Sequence, residues 1–162
     1  MISLVRCDDR MIHGQCIVRV LGDFKIERVI GVDDFTAGNA VLKRIYEMAL
    51  PPHISGGVHT TSDALCLIGE SISDNKNTLV LVKNPQTAHA LYKESEALPK
   101  ELNIGPMSSR KGAVKATMYA YLTDEEVSAV DEMTAMGVRV YFNQTIDQKT
   151  DEWTNLKASM KR

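Results

Sequence analysis

The chain has 162 residues, a length that one hydrophobic core can serve, and 44% of them are hydrophobic and 25% charged. This composition excludes a disordered or fibrous protein, and we expect one domain over residues 1–162. A net charge of −2 without a Lys/Arg run excludes the charge pattern of proteins that bind nucleic acid or anionic lipid. No apolar run approaches the roughly 20 residues of a membrane helix, and the first residues lack a secretory pattern, so we expect a cytoplasmic protein.

Apolar runs rich in Val and Ile alternate with stretches of helical period, which is typical of consecutive β-α units. The predicted strands are 2–7, 28–33, 57–60, 78–83, 102–105, 115–122 and 139–143. The predicted helices are 14–21, 37–50, 62–72, 85–97, 124–136 and 151–160. Leu79-Val80-Leu81-Val82 is apolar on both faces, as central parallel strands are. We therefore predict an α/β fold with a mainly parallel open sheet of about six or seven strands and helices on both faces.

Capping residues support several helix boundaries. Thr61 or Ser62 can cap the third helix, and Asn84 can cap the fourth, which would begin with a proline. Thr123 precedes three acidic residues in a capping-box pattern. Gly137 follows the same helix, where a left-handed residue is favoured.

The loop after the first strand is the most unusual segment, because it contains two arginines, two aspartates, a histidine and a glycine. It reads RCDDRMIHGQ over residues 6–15. Ligands of open α/β sheets bind at the carboxyl ends of the strands, so this loop is the first candidate for a site. Charges of a solvated connector would explain the same composition without any function.

The functional interpretation of this loop is phosphoryl transfer. The imidazole of His13 can act as a neutral nucleophile and later as a phosphoryl donor. Arg10 offers a planar fork of donors for phosphoryl oxygens, and Arg6 adds a second charge. Gly14 allows backbone amides to approach an anion at a helix N-terminus. We predict catalytic roles for His13 and Arg10, and phosphate binding by Arg6, Gly14 and Gln15.

Three carboxylates and one amide are predicted to complete the site. Asp8 or Asp9 could hold an arginine or orient the imidazole, and spacing does not choose between these roles. Asp33 could shape its loop or pair with an arginine. Asn84 ends the fourth strand at the same sheet edge, where it could bind phosphate or simply cap the next helix.

The segment Asp8-Asp9-Arg10-Met11-Ile12-His13-Gly14-Gln15 resembles the DDRLIHGQ signature of a known family. This family comprises the IIB components of the mannose/sorbose class of phosphoenolpyruvate-dependent sugar phosphotransferase systems. The further segments that resemble it are Val32-Asp33-Asp34, Asn84-Pro85, Gly105-Pro106-Met107 and Arg110-Lys111-Gly112. The order and spacing of these segments hold across almost the whole chain.

The resemblance implies a function for each matching residue. His13 would receive a phosphoryl group from a phosphohistidine of the IIA component, with Arg10 beside it. The group would then pass to a sugar held by the membrane components IIC and IID, which makes the chain a protein-N-phosphohistidine–sugar phosphotransferase component. No metal or nucleotide is implied, only a transient phosphohistidine. The chain would associate peripherally with the inner membrane face through IIC and IID, and a homodimer is compatible with the resemblance.

Two positions depart from the family pattern, of which Met11 in place of the usual leucine is conservative. Pro106 stands where a second glycine is usual, and proline lacks a donor N–H. If relatives use that amide to bind phosphate, this chain would need another donor, and we considered the hydroxyls of Ser108 and Ser109.

Other residues and other functions compete with this interpretation. We expect structural or solvent-facing roles for His53, His59 and His89, because none has a metal-ligand spacing. We expect structural roles for Cys7 and Cys16. The alternative functions are a small-molecule or nucleotide-binding module, which lacks a GxGxxG or Walker sequence after the first strand, and a hydrolase or mutase that uses phosphohistidine.

Overall fold

The fold is built on one seven-stranded sheet. The structure, a computed structural model, describes residues 1–160 and, at Gln15 and Cys16, the backbone alone. The strands are β1 (Ile2–Cys7), β2 (Arg28–Val32), β3 (Ser55–His59), β4 (Thr78–Val82), β5 (Glu101–Ile104), β6 (Val114–Lys115), β7 (Tyr121–Leu122), β8 (Arg139–Phe142) and β9 (Asp151–Glu152). The helices are α1 (Gly14–Asp23), α2 (Asp34–Ala37), α3 (Ala40–Met48), α4 (Thr61–Glu70), α5 (Pro85–Glu94), α6 (Asp124–Ala135) and α7 (Trp153–Ser159).

The strand order in this sheet is β3-β2-β4-β1-β5-β8-β9. All neighbouring strands are parallel except β9, which pairs antiparallel with β8 at one edge. The predicted α/β class and mainly parallel sheet are thereby confirmed. Because β1 lies between β4 and β5, the segments that follow these three strands meet at one edge of the sheet.

The central strands send alternate side chains into two cores. Leu79 and Leu81 pack on the face that α1 covers, whereas Val80 and Val82 pack on the opposite face with α4, α5 and α6. This arrangement explains why β4 is apolar throughout. Because both faces of the sheet are buried, β1 and its neighbours are held firmly in place. The segments that follow their carboxyl ends are therefore held in place as well.

Three predicted elements differ from the structure. The predicted strand 115–122 is a tight hairpin of β6 and β7, because Ala116 N and Thr117 N both donate to Ala120 O. The predicted helix 37–50 corresponds to the shorter α3, Ala40–Met48, which Asn39 caps by accepting from Leu42 N (3.1 Å). Its predicted first residue instead ends the separate short helix α2, whose C-cap is Gly38. The predicted terminal helix loses its first two residues to β9.

The predicted caps are largely confirmed. Asn84 caps α5, and Thr123 forms a capping box with Glu126 on α6. The cap of α4 is Thr60 rather than Thr61 or Ser62, since its Oγ1 accepts from Asp63 N (3.1 Å).

Within residues 1–160, no helix combines the length and apolar character needed to cross a membrane.

Candidate functional site

The loop after β1 is held between the ends of two neighbouring strands. Asp8 N donates to Val82 O of β4 (3.0 Å), and Asp9 N donates to Pro106 O, just beyond β5 (3.2 Å). These bonds continue the sheet pattern by one residue on each side. The charged loop therefore starts from a rigid base at the carboxyl edge of the sheet.

Two apolar residues anchor the middle of this loop in the core. Met11 and Ile12 are 0% and 1% exposed and pack in the same cluster as the inner face of α1. Met11 takes a left-handed backbone (φ 56°), a conformation that costs a non-glycine residue roughly 1–3 kcal/mol. Its side chain packs over Gly31 of β2, where a Cβ would lie 3.4 Å from Met11 Cε. The anchor leaves the next residue, His13, outside the core.

His13 is exposed and stands at the N-cap of α1. Its backbone is extended (φ −155°, ψ 139°), its N–H donates to Met11 O (3.0 Å), and its side chain makes no capping bond to the helix. Gly14 follows in a left-handed conformation (φ 79°), which turns the chain into the helix. The imidazole is therefore accessible to a partner at the sheet edge.

Arg10 lies beside the start of α1, next to Gly14. Its Nη1 is 4.0 Å from the point where a Cβ on Gly14 would stand, so the guanidinium covers the residue that follows His13. The side chain is 37% exposed. Asp8 Oδ1 accepts hydrogen bonds from both Arg10 N (3.0 Å) and Arg10 Nε (3.4 Å). A single carboxylate oxygen thus fixes both the backbone and the side chain of this arginine.

Asp8 is almost fully buried between two arginines. Its Oδ2 lies 3.8 Å from Arg6 Nη2, and its Oδ1 holds Arg10. Burial raises the pKa of the Asp8 carboxyl above its ordinary value, although the Arg10 N–H bond and both guanidinium charges lower it. The desolvation of the carboxylate outweighs these attractions. Of the two roles considered for Asp8, the structure shows the one in which it holds an arginine.

Asp9 and Pro106 join the loop to the segment after β5. Asp9 Oδ2 accepts from Ser108 N (2.6 Å), and Asp9 N donates to the Pro106 carbonyl. Proline keeps the carbonyl that this contact uses, so the missing N–H of Pro106 is not needed for it. Ser108 takes part through its backbone amide, which the sequence interpretation, with its emphasis on hydroxyls, did not anticipate.

Asp33 and Asn84 act as helix caps. Asp33 Oδ2 accepts from Thr36 N (3.1 Å) and Thr36 Oγ1 (2.6 Å), so this carboxylate shapes the start of α2. Asn84 Oδ1 accepts from Thr87 N (2.9 Å) and Thr87 Oγ1 (3.0 Å). Asn84 also lines a pocket of about 220 Å³ beside the loop, together with Asp9, Lys83, Met107, Arg110 and Glu126. Phosphate binding by Asn84 stays a prediction.

The structure places Arg6 in the interior rather than at the surface. Its guanidinium is 1% exposed and donates to Asn103 Oδ1 and to the carbonyls of Asn143 (3.4 Å) and Gln144 (2.9 Å). The predicted phosphate contact of Arg6 is not supported by this burial. The side chain of Gln15, also predicted to bind phosphate, lies outside the described residues.

Sequence reasoning missed the residues that support the loop from the side. Asn103 and Asn143 hold Arg6, and Arg110 forms an ion pair with the buried Glu126 of the α6 capping box. A polar signal existed, because an Asn inside the apolar strand β5 requires hydrogen-bond partners. The sequence did not say which residues these partners are.

The remaining candidates have structural environments. His89 Nε2 lies 3.2 Å from Glu132 Oε2, and burial lowers the pKa of the half-buried His59. Cys7 is buried against Met107 Sδ (3.6 Å), and burial raises the pKa of its thiol well above the ordinary value. The side chain of Cys16 lies outside the described part of the chain. The described residues contain no cluster of three or more His, Cys, Asp or Glu that could hold a metal ion.

Comparison with known proteins identifies the family. Residues 2–162 match the family model described as "PTS system sorbose subfamily IIB component". The chain belongs to this family. The family that the loop signature predicted is thereby confirmed.

Relatives share sequence over most of the chain. The sorbose-specific EIIB component of Lacticaseibacillus casei is 27% identical over 98% of this chain and 94% of its own length. The mannose-specific EIIAB component of Escherichia coli K12 is 24% identical over 86% of this chain. The alignment covers only 43% of that longer protein, so the chain spans less than half of the EIIAB proteins it matches.

Solved structures share the fold. Crystalline manxB from Thermoanaerobacter tengcongensis has a TM-score of 0.86 and 28% identity, and the match covers 98% of this chain and 95% of the other. The IIBSor domain of the sorbose permease from Klebsiella pneumoniae has a TM-score of 0.90 and 22% identity, with 98% and 97% covered. At 22% identity, the similarity to the IIBSor domain shows a shared fold alone.

Proposed function

We propose that this IIB family member is a phosphocarrier whose His13 accepts a phosphoryl group from a phospho-IIA protein and transfers it to an incoming sugar. The observation that carries this proposal is an exposed imidazole at the carboxyl edge of a parallel sheet, with the Arg10 guanidinium against the next residue, Gly14. The protein's part in phosphoryl transfer is mainly positioning and charge stabilisation, and these residues supply both.

The two chemical steps balance around one imidazole. In the first, a ring nitrogen of His13 attacks phosphorus, a P–N bond forms, and the donor imidazole leaves with the electron pair of its own P–N bond. In the second, a sugar hydroxyl oxygen attacks phosphorus, its proton is released, and the His13 imidazole leaves. Arg10 would stabilise the charge on the equatorial phosphoryl oxygens in both steps. We propose that the carrier needs no bound metal or nucleotide, because the phosphohistidine is its only chemical intermediate.

The proposal implies two successive protein partners. IIA would dock as donor, and the membrane components IIC and IID with their bound sugar would dock as acceptor, so the carrier would work in the cytoplasm at the inner membrane face. The pocket beside the loop, about 220 Å³, is smaller than a typical small-molecule site, which favours a protein surface over a ligand cavity there. Exposed Phe35, Val41, Ile45 and Met48 on α2 and α3 also suit a protein contact.

Labelling of His13 tests the proposal. The protein is incubated with radioactive phosphoenolpyruvate, the two general phosphocarriers and a cognate IIA, and acid-labile, alkali-stable label is located by peptide mapping. We expect label on wild type and none on His13→Ala. His53→Ala is the matched control, because His53 is another exposed histidine in a loop, and it should label normally. Label that persists in His13→Ala would disprove the assignment.

The sugar and the oligomeric state require separate measurements. Membranes that contain the IIC and IID proteins of the source organism, supplied with phospho-protein and single sugars, would identify the acceptor. A homodimer remains part of the proposal, and sedimentation equilibrium at several concentrations would detect it.

A further inference from the structure

Arg6 forms a buried link between the active loop and the segment after β8. Its Nη2 donates to Gln144 O (2.9 Å) and lies 3.8 Å from Asp8 Oδ2, while Nη1 donates to Asn103 Oδ1. A buried guanidinium is costly unless its charge is paired and its N–H groups are bonded. The fold therefore holds this charge on the interior side of Asp8, whose carboxylate binds Arg10.

The neighbouring strands are built around this guanidinium. Arg6 and Asn103 stand opposite each other in the β1–β5 register, and Asn103 Nδ2 donates to Asn143 Oδ1 (2.9 Å). Asn143 Nδ2 in turn donates to Thr150 Oγ1 (3.2 Å). A chain of hydrogen bonds and ion pairs thus runs from the segment after β8 through Arg6 and Asp8 to the partly exposed Arg10.

Gly105 provides independent support, because it leaves the space that the guanidinium fills. A Cβ at this position would overlap Arg6 Nη2 and Cζ. Its backbone is fixed in the sheet by the bond from Gly105 N to Cys7 O (2.8 Å), so it cannot easily move aside. The absence of a side chain at residue 105 is thus explained by Arg6.

We propose that Arg6 is a positioning residue of the phosphoryl-transfer site: it fixes Asp8, and Asp8 holds the Arg10 guanidinium against Gly14, the residue that follows His13. The inference rests on the proposed function and assigns Arg6 a role without contact to the phosphoryl group. Bonded to β5 and to the segment after β8, Arg6 keeps the Asp8 carboxylate in one orientation. Both hydrogen bonds from Arg10 to Asp8 depend on that orientation.

Two substitutions disturb this link in different ways. Arg6→Lys keeps the charge but replaces the rigid fork by a single ammonium group. Gly105→Ala keeps Arg6 and displaces its guanidinium. The matched control is Gly69→Ala on α4, where a Cβ would meet no atom within 4 Å. Each is made alone and together with Arg10→Ala, and transfer from labelled phospho-IIA to His13 is followed by rapid quench and expressed per folded molecule.

We expect Arg6→Lys and Gly105→Ala to lower the maximal transfer rate about 10- to 100-fold, the effect of misplacing a catalytic group by roughly 1 Å or losing its support. The donor concentration that gives half the maximal rate should not change. In the Arg10→Ala background neither substitution should slow transfer further, because the residue through which Arg6 acts is gone. Gly69→Ala should transfer at the wild-type rate.

An equal slowing with and without Arg10 would overturn the inference, as would unchanged transfer per folded molecule in either variant. If Arg6→Lys does not fold, Gly105→Ala decides the question, since it retains every atom of Arg6. Failure of the proposed function is a separate outcome, in which wild-type protein takes no label on His13.

Discussion

Replacement of Arg10 by alanine should separate stability from transfer. The Arg10 side chain is 37% exposed and its Nε contact to Asp8 is long at 3.4 Å, but Asp8 is only 1% exposed, so the lost ion pair should cost about 1–3 kcal/mol of unfolding free energy. Alanine keeps the backbone bond from residue 10 to Asp8 Oδ1 (3.0 Å), which preserves the loop. Loss of one donor that stabilises developing charge typically slows a reaction about 100- to 1,000-fold, or roughly 3–4 kcal/mol of activation free energy.

The assay compares two measurements on the same protein. Urea unfolding gives the stability change, and rapid-quench transfer from phospho-IIA to His13 gives the rate. Arg139→Ala is the matched control, because Arg139 is also a partly exposed, ion-paired arginine but begins β8 at the opposite end of the strands. It should transfer at the wild-type rate. Normal transfer by Arg10→Ala, or a loss of stability that accounts for the whole loss of rate, would refute the reasoning.

Three further predictions concern the residues around the site. Pro106→Gly keeps the carbonyl that accepts from Asp9 N, so transfer should be unchanged, while thermal unfolding should show a loss of about 0.4–1 kcal/mol from the freer unfolded chain. Thr123→Ala removes the capping box of α6 and should cost about 1 kcal/mol in urea unfolding, with an unchanged m-value. Burial raises the pKa of Tyr119 to about 12. An unfolded tyrosine ionises near pH 10, so the unfolded state holds fewer protons above that pH and stability should fall between about pH 10 and 12. Tyr119→Phe should reduce this fall, and an identical pH profile in that variant would contradict the assignment.

Much of the sheet could be predicted because it depends on local patterns. The strand Leu79-Val80-Leu81-Val82 is buried on both faces, and its uninterrupted run of apolar residues predicts this burial. The hairpin at 115–122 could not be predicted from the pattern of apolar residues. Thr117 and Ala120 belong to a stretch that alternates like a strand, but the chain turns there because two backbone amides share the Ala120 carbonyl. That choice is made by backbone geometry and not by the alternation of side chains.

The exposed part of the site was easier to predict than its support. His13 and Arg10 lie in one short segment, so their proximity follows from the chain itself. The burial of Arg6 depends on Asn103, 97 residues later, and on the missing side chain of Gly105. An arginine inside an apolar strand indicates that partners exist, but only the strand order identifies them.

The structure of the loop suits the proposed carrier, which would serve two partners with one imidazole. Met11 and Ile12 fix the backbone in the core, and Asp8 fixes the Arg10 guanidinium from below. Burial raises the Asp8 pKa because the charged carboxylate loses contact with water. The surrounding structure therefore has to hold this group in place. Because these groups are held by the chain itself, they would stay in place when the proposed donor leaves and the proposed acceptor arrives. The phosphohistidine would then present the same charge environment to both partners, so that exchange of partners requires no rearrangement of the site.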